Sequence, residues 1–308
     1  MNYILFISSR LGLESLMILL QEKINIKQVF IEKEHEHELR KYYKEAIEIC
    51  DNHEISCSVN ASIKEISELL YSVDFTIDYI MSFGYRRMIP DEIVKMAKVA
   101  ALGTHFSPLP QYRGFAPLNW LLINGESETA VNLFYLDKEV DNGDIIATES
   151  VEIKYEDDIN TLFERCLKSF KKTLIEVIPQ LENNSFKAIK QDNSKASYTC
   201  ARTPEDGKIN WNQSSFIIYN LIRALTNPFP GAFTYYKGSK LTILSSEEYN
   251  EGNYIGRVEG RVVKIIKNKG VVVLCGKGSL LIKDVMLENS DNKISADKII
   301  TSVRGTLS

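Results

Sequence analysis

Apolar positions along this 308-residue chain fall into two textures, and the change between them comes near residue 200. Over the first hundred residues, short apolar runs alternate with stretches of helical spacing. Tyr3–Ile7, YILFI, is a continuous apolar run of the kind expected of a strand buried on both faces. LESLMILLQEK follows it with the i, i+3, i+4 periodicity of a helix. IKQVFI, ISCSV, TIDYIMSF and VAALG predict further strands. EKEHEHELRKYYKEAIEIC, IKEISELLYS and PDEIVKMA predict the helices between them. Such alternation implies an α/β fold, a Rossmann-like and mostly parallel sheet with helices on both faces. NLFYL and DIIATESVEI predict later strands, and INTLFERCLKSFKKTLIEVI a long helix.

The stretch from Glu182 to Thr203 is polar and aperiodic and reads as a linker. Beyond it one helix, SFIIYNLIRAL, precedes closely spaced β-rich runs: AFTYYK, KLTILSS, GRVVKII, GVVVLCG and SLLIKDVML. Glycine and asparagine turns separate them, which predicts a smaller β-rich, OB-like barrel or sandwich. The expected division is an α/β domain over 1–189, a linker over 190–203 and the β-barrel-like domain over 204–308.

Bulk properties narrow the function. No apolar run approaches the roughly 18 to 20 residues of a spanning helix, so insertion into a membrane is not expected. The start lacks the basic n-region of a signal peptide. The five cysteines are scattered without CxxC spacing, which fits reduced thiols in a cytoplasmic protein and indicates no metal site. The net charge of −4 hides an asymmetry: from Cys200 onward there are 15 Lys+Arg against 10 Asp+Glu, and before it 22 against 31. An acidic first part is a poor surface for nucleic acid. The loop after the first strand, ISSRLGLES, holds one glycine where a dinucleotide fingerprint needs three, so the topology does not imply NAD.

The chemistry gathers in THFSPLPQYRGFAP, Thr104–Pro117. His105 stands at the end of a predicted strand, where open parallel sheets place their ligands. The loop behind it is stiffened by Pro108, Pro110 and the pair Arg113-Gly114. A second element, YLDKEVDNGDII, brings Asp137, Glu139, Asp141 and Asp144 around a glycine turn. One carboxylate folded against His105 would orient the imidazole for general acid–base work. Arg10, after the first strand, could meet a phosphate at the top of the sheet or be a plain surface arginine. The EHEHE run, Glu34–Glu38, reads as surface charge, because residues two apart on a helix point to different sides.

In this order the motifs resemble the formyltransferases that use 10-formyltetrahydrofolate. That family carries Asn-x-His, a Ser-Leu-Leu-Pro-type loop with Arg-Gly, and an Asp-x-Gly turn; here Asp141 follows His105 by about 36 residues. ARTPEDGKINWN, IYNLIRALTNPFPGAFTYY and GKGSLLIKDVML resemble the C-terminal domain of methionyl-tRNA formyltransferases and of the formyltransferase half of the bifunctional aminoarabinose enzyme. The resemblance implies N10-formyltetrahydrofolate as cosubstrate, with no metal. It implies His105 as acid–base group, Asp141 as its partner, and folate contacts, largely main-chain, at Arg87, Met88 and Ile89 and at Asp137, Lys138, Glu139, Val140 and Asp141. It also exposes a departure: Gly103 stands where the family has its asparagine, an oxyanion donor. Asn132, on the next strand, is a candidate replacement, with a turn cap or strand pairing as the alternative.

For the acceptor, the segment FIEKEHEHELRKYYKEA places Glu32, Glu34, Glu36 and Glu38 where methionyl-tRNA formyltransferases carry a basic, glycine-containing insertion. RGFAPLNWLLINGESET is closer to enzymes that formylate amino sugars on nucleotide carriers, precursors of lipopolysaccharide and other surface glycans. The expected partner is therefore a nucleotide-linked amino sugar, not nucleic acid. Methionyl-tRNA formylation and a catalytically weak binding protein of the same fold are the alternatives, and a homodimer stays open.

Overall fold

The computed structural model describes residues 1–34, 40–288, 290 and 292–308. The chain begins β1 (Tyr3–Ser8), α1 (Ser9–Gln21), β2 (Ile26–Glu32), α2 (Tyr42–Asn52), β3 (Ser56–Val59), α3 (Ile63–Ser72), β4 (Tyr79–Phe83) and α4 (Asp91–Val94). It continues through β5 (Ala100–His105), β6 (Arg113–Gly114), α5 (Pro117–Asn124), β7 (Glu128–Tyr135), β8 (Ile145–Glu152) and α6 (Ile159–Glu182). After β9 (Tyr198–Thr199) and α7 (Ser215–Leu225) come β10 (Ala232–Tyr236), β11 (Ser239–Glu248), β12 (Val262–Ile266), β13 (Gly270–Leu274) and β14 (Ser279–Leu287). Short β15 (Ile294–Ser295) and α8 (Ala296–Ile299) follow.

Two compact units divide the chain. The first comprises Met1–Phe115, Glu128–Val151 and Glu164–Thr199; the second comprises Ala116–Ser127, Glu152–Phe163 and Cys200–Ser308. In the first unit seven strands lie in the order β3-β2-β1-β4-β5-β7-β8. The pairs from β3 to β5 are parallel, and β7 joins β5 antiparallel. Every residue of β1 is buried, as its unbroken apolar run requires of a central strand. Ile4, Phe6, Ile80, Ile89, Ile93 and Ala101 share one core with Ile66 and Leu70 of α3. A capping box starts α3: the Ser62 hydroxyl accepts from the Glu65 amide while the Glu65 carboxylate accepts from the Ser62 amide.

The parallel sheet and the separate β-rich unit match the fold class expected from the sequence. In the second unit the sheet order is β10-β11-β14-β13-β12, antiparallel throughout, with β15 beside β14. The edge strand β10 and the segment before β12 are tied by the last residues. Tyr236 bridges to Leu307, and Arg261 bridges to Thr306. Helix α5 belongs to this unit because its apolar residues Leu118, Leu121 and Leu122 are buried and the buried Asn119 amide donates to the Ala224 carbonyl of α7 at 2.7 Å. Among the described residues no helix is long and apolar enough to cross a membrane.

Candidate active site

β5 ends with His105 at the carboxyl edge of the parallel strands, 8% exposed. Its Nε2 lies 2.8 Å from the Tyr112 carbonyl oxygen. A carbonyl only accepts, so Nε2 carries the hydrogen of the neutral ring. That tautomer leaves Nδ1 as the exchangeable nitrogen, and Nδ1 faces Asp141 Oδ2 at 3.4 Å. The distance is that of a loose pair rather than a formed hydrogen bond.

Asp141 is held independently of the histidine. Its backbone is left-handed, φ 51°, a conformation uncommon for a residue other than glycine. Its Oδ2 accepts the Gly114 amide at 2.8 Å, and its carbonyl accepts Gln191 Nε2 at 2.9 Å. The same Gln191 nitrogen donates to the Gly143 carbonyl at 2.7 Å. Gly143 has no alternative: a β-carbon there would stand 1.8 Å from the Tyr135 carbonyl oxygen.

The loop that carries Tyr112 and Gly114 is fixed from the far side of the sequence. β6 pairs in parallel with β9, and the Arg113 amide donates to the Ser197 carbonyl at 2.9 Å. Gly114 has φ 101°, and a β-carbon on it would meet the Thr199 carbonyl at 2.8 Å, so the close approach of the two segments requires glycine. The Arg113 guanidinium is 1% exposed and donates to Gln191 Oε1, Asn193 Oδ1 and the Tyr198 hydroxyl. Residues from the aperiodic stretch 190–203 thus take part in the site. Polarity without periodicity is the signal of a loop, and only the long-range pairing with β6 distinguishes this segment from a free one.

Asn132 stands opposite His105 in the β5–β7 register, as strand neighbours should. Of its two readings, oxyanion donor and turn cap, the geometry favours the turn. Its Nδ2 donates to the carbonyls of His105 at 3.2 Å and Ser107 at 2.6 Å, so both amide hydrogens serve the turn after β5. An amide with both donors on buried carbonyls has none for an oxyanion. The Thr104 hydroxyl is likewise committed, donating to the Asn132 carbonyl at 2.7 Å. At Gly103 the space for a side chain is filled by Leu136.

The remaining candidates fall in three places. Arg10 lies in α1 and is held by Glu14 and Glu164; the hydrogen bond to Glu164 raises its pKa, so its charge is already matched. Arg87 donates to the Ala61 carbonyl at 3.0 Å and the Tyr85 hydroxyl at 2.5 Å, beside Glu32; Met88 is exposed and Ile89 is anchored in the core. Lys138, Glu139 and Val140 are exposed. The Asp137 carboxylate caps its own turn, accepting from the Lys138 amide at 2.6 Å and from Asn142 at 3.2 Å. A cavity of about 320 Å³ opens here, bounded by Leu136, Asp137, Asn142, Asp144, Lys190 and Gln191. Among the described residues no three His, Cys, Asp or Glu side chains gather as a metal set.

Glu32 and Glu34 are not a free acidic face. Glu34 is 6% exposed and accepts the amides of Tyr42 and Tyr43 at the start of α2, satisfying otherwise orphaned helix donors. Glu32 accepts the Arg86 amide at 3.0 Å. Glu36 and Glu38 lie outside the described residues.

The formyl transferase family model matches residues 4–178, and the formyl transferase C-terminal domain model matches residues 202–304. The chain belongs to the formyl transferase family. Its fold is shared with the N-formyltransferase of Helicobacter canadensis, solved with folinic acid and dTDP-3-aminofucose, at 22% identity and a TM-score of 0.70, over 91% of this chain and 98% of that one. A variant of HypX from Aquifex aeolicus is similar at 17% identity and a TM-score of 0.66. That match covers 97% of this chain and 47% of HypX, so this chain spans about half of that protein's length. Methionyl-tRNA formyltransferase from Clostridium thermocellum is similar at 17% identity and a TM-score of 0.58, over 94% of this chain and 99% of the other.

Proposed function

We propose that this chain transfers a formyl group from N10-formyltetrahydrofolate to the primary amine of a nucleotide-linked amino sugar. The observation that carries the reading is the His105–Asp141 pair, set at the carboxyl edge of the sheet, with the far nitrogen of His105 on the Tyr112 carbonyl and the facing oxygen of Asp141 on the Gly114 amide. The cosubstrate supplies an activated formyl carbon, and the proton movements fall to the protein. An attacking amine must lose one proton, and the departing N10 nitrogen must gain one. With Nε2 tied to Tyr112, Nδ1 of His105 takes the first and returns it as the second, lying meanwhile against the Asp141 carboxylate. The products are a formamide and tetrahydrofolate, with no net proton change.

The folate contacts follow the family correspondence. The main chain of Arg87–Ile89 and Asp137–Asp141 would hold the pterin, with Ile89 rooted in the core and Asp137 stiffening the loop. No side-chain donor comes from Gly103, Thr104 or Asn132, so the developing oxyanion depends on other donors. Losing one such donor typically costs on the order of 100- to 1000-fold in rate, and this departure motivates the reading of a weak or non-catalytic member. The retained His–Asp geometry argues for turnover, since a pure binder needs neither an oriented imidazole nor a strained aspartate.

The acceptor assignment rests on sequence. Between β2 and α2 there is no glycine-containing basic insertion of the kind RNA binding needs. The carboxylates of Glu32 and Glu34 add nothing to that argument, because both are engaged by main-chain amides. The test is release of tetrahydrofolate, followed spectroscopically, with a panel of nucleotide-linked amino sugars and with charged initiator tRNA. Saturable turnover on an amino sugar is expected. Faster formylation of methionyl-tRNA than of any sugar would overturn the assignment, and no turnover with either would favour the binding protein.

A further inference from the structure

Gln191 stands 50 residues beyond Asp141 in the chain, is 6% exposed, and has every hydrogen-bonding position of its amide filled. Its Oε1 accepts from Arg113 Nε at 3.2 Å and Nη2 at 2.6 Å. Its Nε2 donates to the carbonyls of Asp141 at 2.9 Å and Gly143 at 2.7 Å. A primary amide has two donors and two acceptor lone pairs, so none is left over. A buried amide so completely matched specifies one geometry, because any shift of the loop leaves buried polar groups unpaired.

The two carbonyls it holds flank Asn142 and fix the turn in which Asp141 is left-handed. The other end of the connection returns to the same aspartate. Arg113, which grips Gln191, precedes Gly114, whose amide binds Asp141 Oδ2 at 2.8 Å. The carboxylate and the main chain of Asp141 are therefore clamped by one closed circuit: Arg113, Gln191, Asp141 and Gly114.

We infer that Gln191 is a positioning residue for formyl transfer: it sets the backbone of Asp141 and through it the approach of the carboxylate to His105 Nδ1. The inference rests on the proposed acid–base role of that pair. Gln191 touches no side-chain atom of His105 or Asp141, so its removal should act on the rate and leave the affinity for the amino sugar unchanged. A misplacement of this kind costs on the order of 100-fold in rate.

Gln191→Glu removes the contacts to Asp141 and Gly143 and keeps those to Arg113. The carboxylate keeps both acceptors for Arg113 and gains a charge-assisted fork. It loses the two donors and turns oxygen toward the carbonyls of Asp141 and Gly143. Expected are a lower melting temperature, from two buried carbonyls left without donors, kcat lower by roughly 10- to 100-fold, and an amino-sugar KM within about twofold. In an Asp141→Asn background the same substitution should cost nothing further, because the group it positions is already lost.

One readout needs no substrate. The ring 15N resonances of His105 should move in Gln191→Glu toward their positions in Asp141→Asn, while those of His53 stay. This measurement stands even if every acceptor fails in the turnover assay, so failure of the proposed activity and failure of this inference can be told apart. Should Gln191→Glu not fold, neutral Gln191→Met takes its place with the same histidine readout. Unchanged His105 resonances in a folded variant, a native kcat, or a loss that adds fully to that of Asp141→Asn would each overturn the inference.

Discussion

Leu136 occupies the space that a side chain on Gly103 would need: its Cδ2 lies 2.7 Å from where a β-carbon would stand. The ring of Phe134 lies 3.4 Å from the same point. Leu136 also packs against the core cluster beside Ile80 and Ala101. Gly103 on β5 and the apolar branch of Leu136 therefore fit one another, the second filling the space the first leaves. Gly103→Asn alone is expected to destabilise by about 1 to 3 kcal/mol through overpacking. Leu136→Ala should relieve it, giving a coupling of at least about 0.5 kcal/mol in a denaturation double-mutant cycle. Additive effects would show that Leu136 does not fill that space.

Asn132 holds the turn after β5, so Asn132→Ala should leave the carbonyls of His105 and Ser107 without their donor. A loss of about 1 to 3 kcal/mol in chemical denaturation is expected. Gly103→Asn should not restore activity to this variant, because the two residues do not share an oxyanion. Recovery of turnover in the double variant would reinstate Asn132 as a catalytic donor.

His105→Asn and Asp141→Asn should each remove most of the turnover and leave the far-ultraviolet circular dichroism unchanged. General acid–base groups contribute typically about 100- to 10,000-fold. Combining the two should cost little more than the worse single change, as expected of groups that act as one unit. Near-native turnover in either single variant would remove the pair from the mechanism.

Thiol chemistry gives a test independent of the substrate. Burial pushes the Cys50 and Cys275 thiols up to about 12, whereas Cys200 is exposed. At pH 8 a raised pKa leaves almost no thiolate, and the thiolate is the nucleophile. Brief labelling with a maleimide at pH 8, read by peptide mass spectrometry, should mark Cys200 well before Cys50 or Cys275. Equal labelling of the three in the folded protein would contradict their burial.

Much of this organisation was legible in the pattern of residues. YILFI pointed to a buried central strand, and the alternation that follows it to an α/β sheet. His105 and Asp141 were found through motif order, since a histidine at a strand end and an acidic turn are each common. Gln191 was not found, because a lone glutamine in an aperiodic polar stretch resembles any loop residue. A clue lay in Arg113: an arginine inside a proline-stiffened loop behind His105, if buried, must have acceptors, and QDNSK supplies them. Asn132 was placed at the right register with two readings open, oxyanion donor or turn cap, and its amide serves the turn. Sequence shows which strand face an amide shares, whereas its hydrogen-bond partners depend on how the next turn folds. Glu34, read with its run as surface charge, is buried for the same reason, its partners being main-chain amides that composition does not reveal.

The pairing of β6 with β9 has a consequence for how the protein comes into being. A ribosome releases His105 and Asp141 well before Gln191 and the Tyr198–Thr199 strand, with all of α6 synthesised in between. Through that interval the nascent chain carries His105 and Asp141 without the segment that aligns them. Closing so long a loop is slow relative to local helix formation. Competence for proton transfer should therefore arise late, as one of the last events of maturation, rather than when the sheet first assembles.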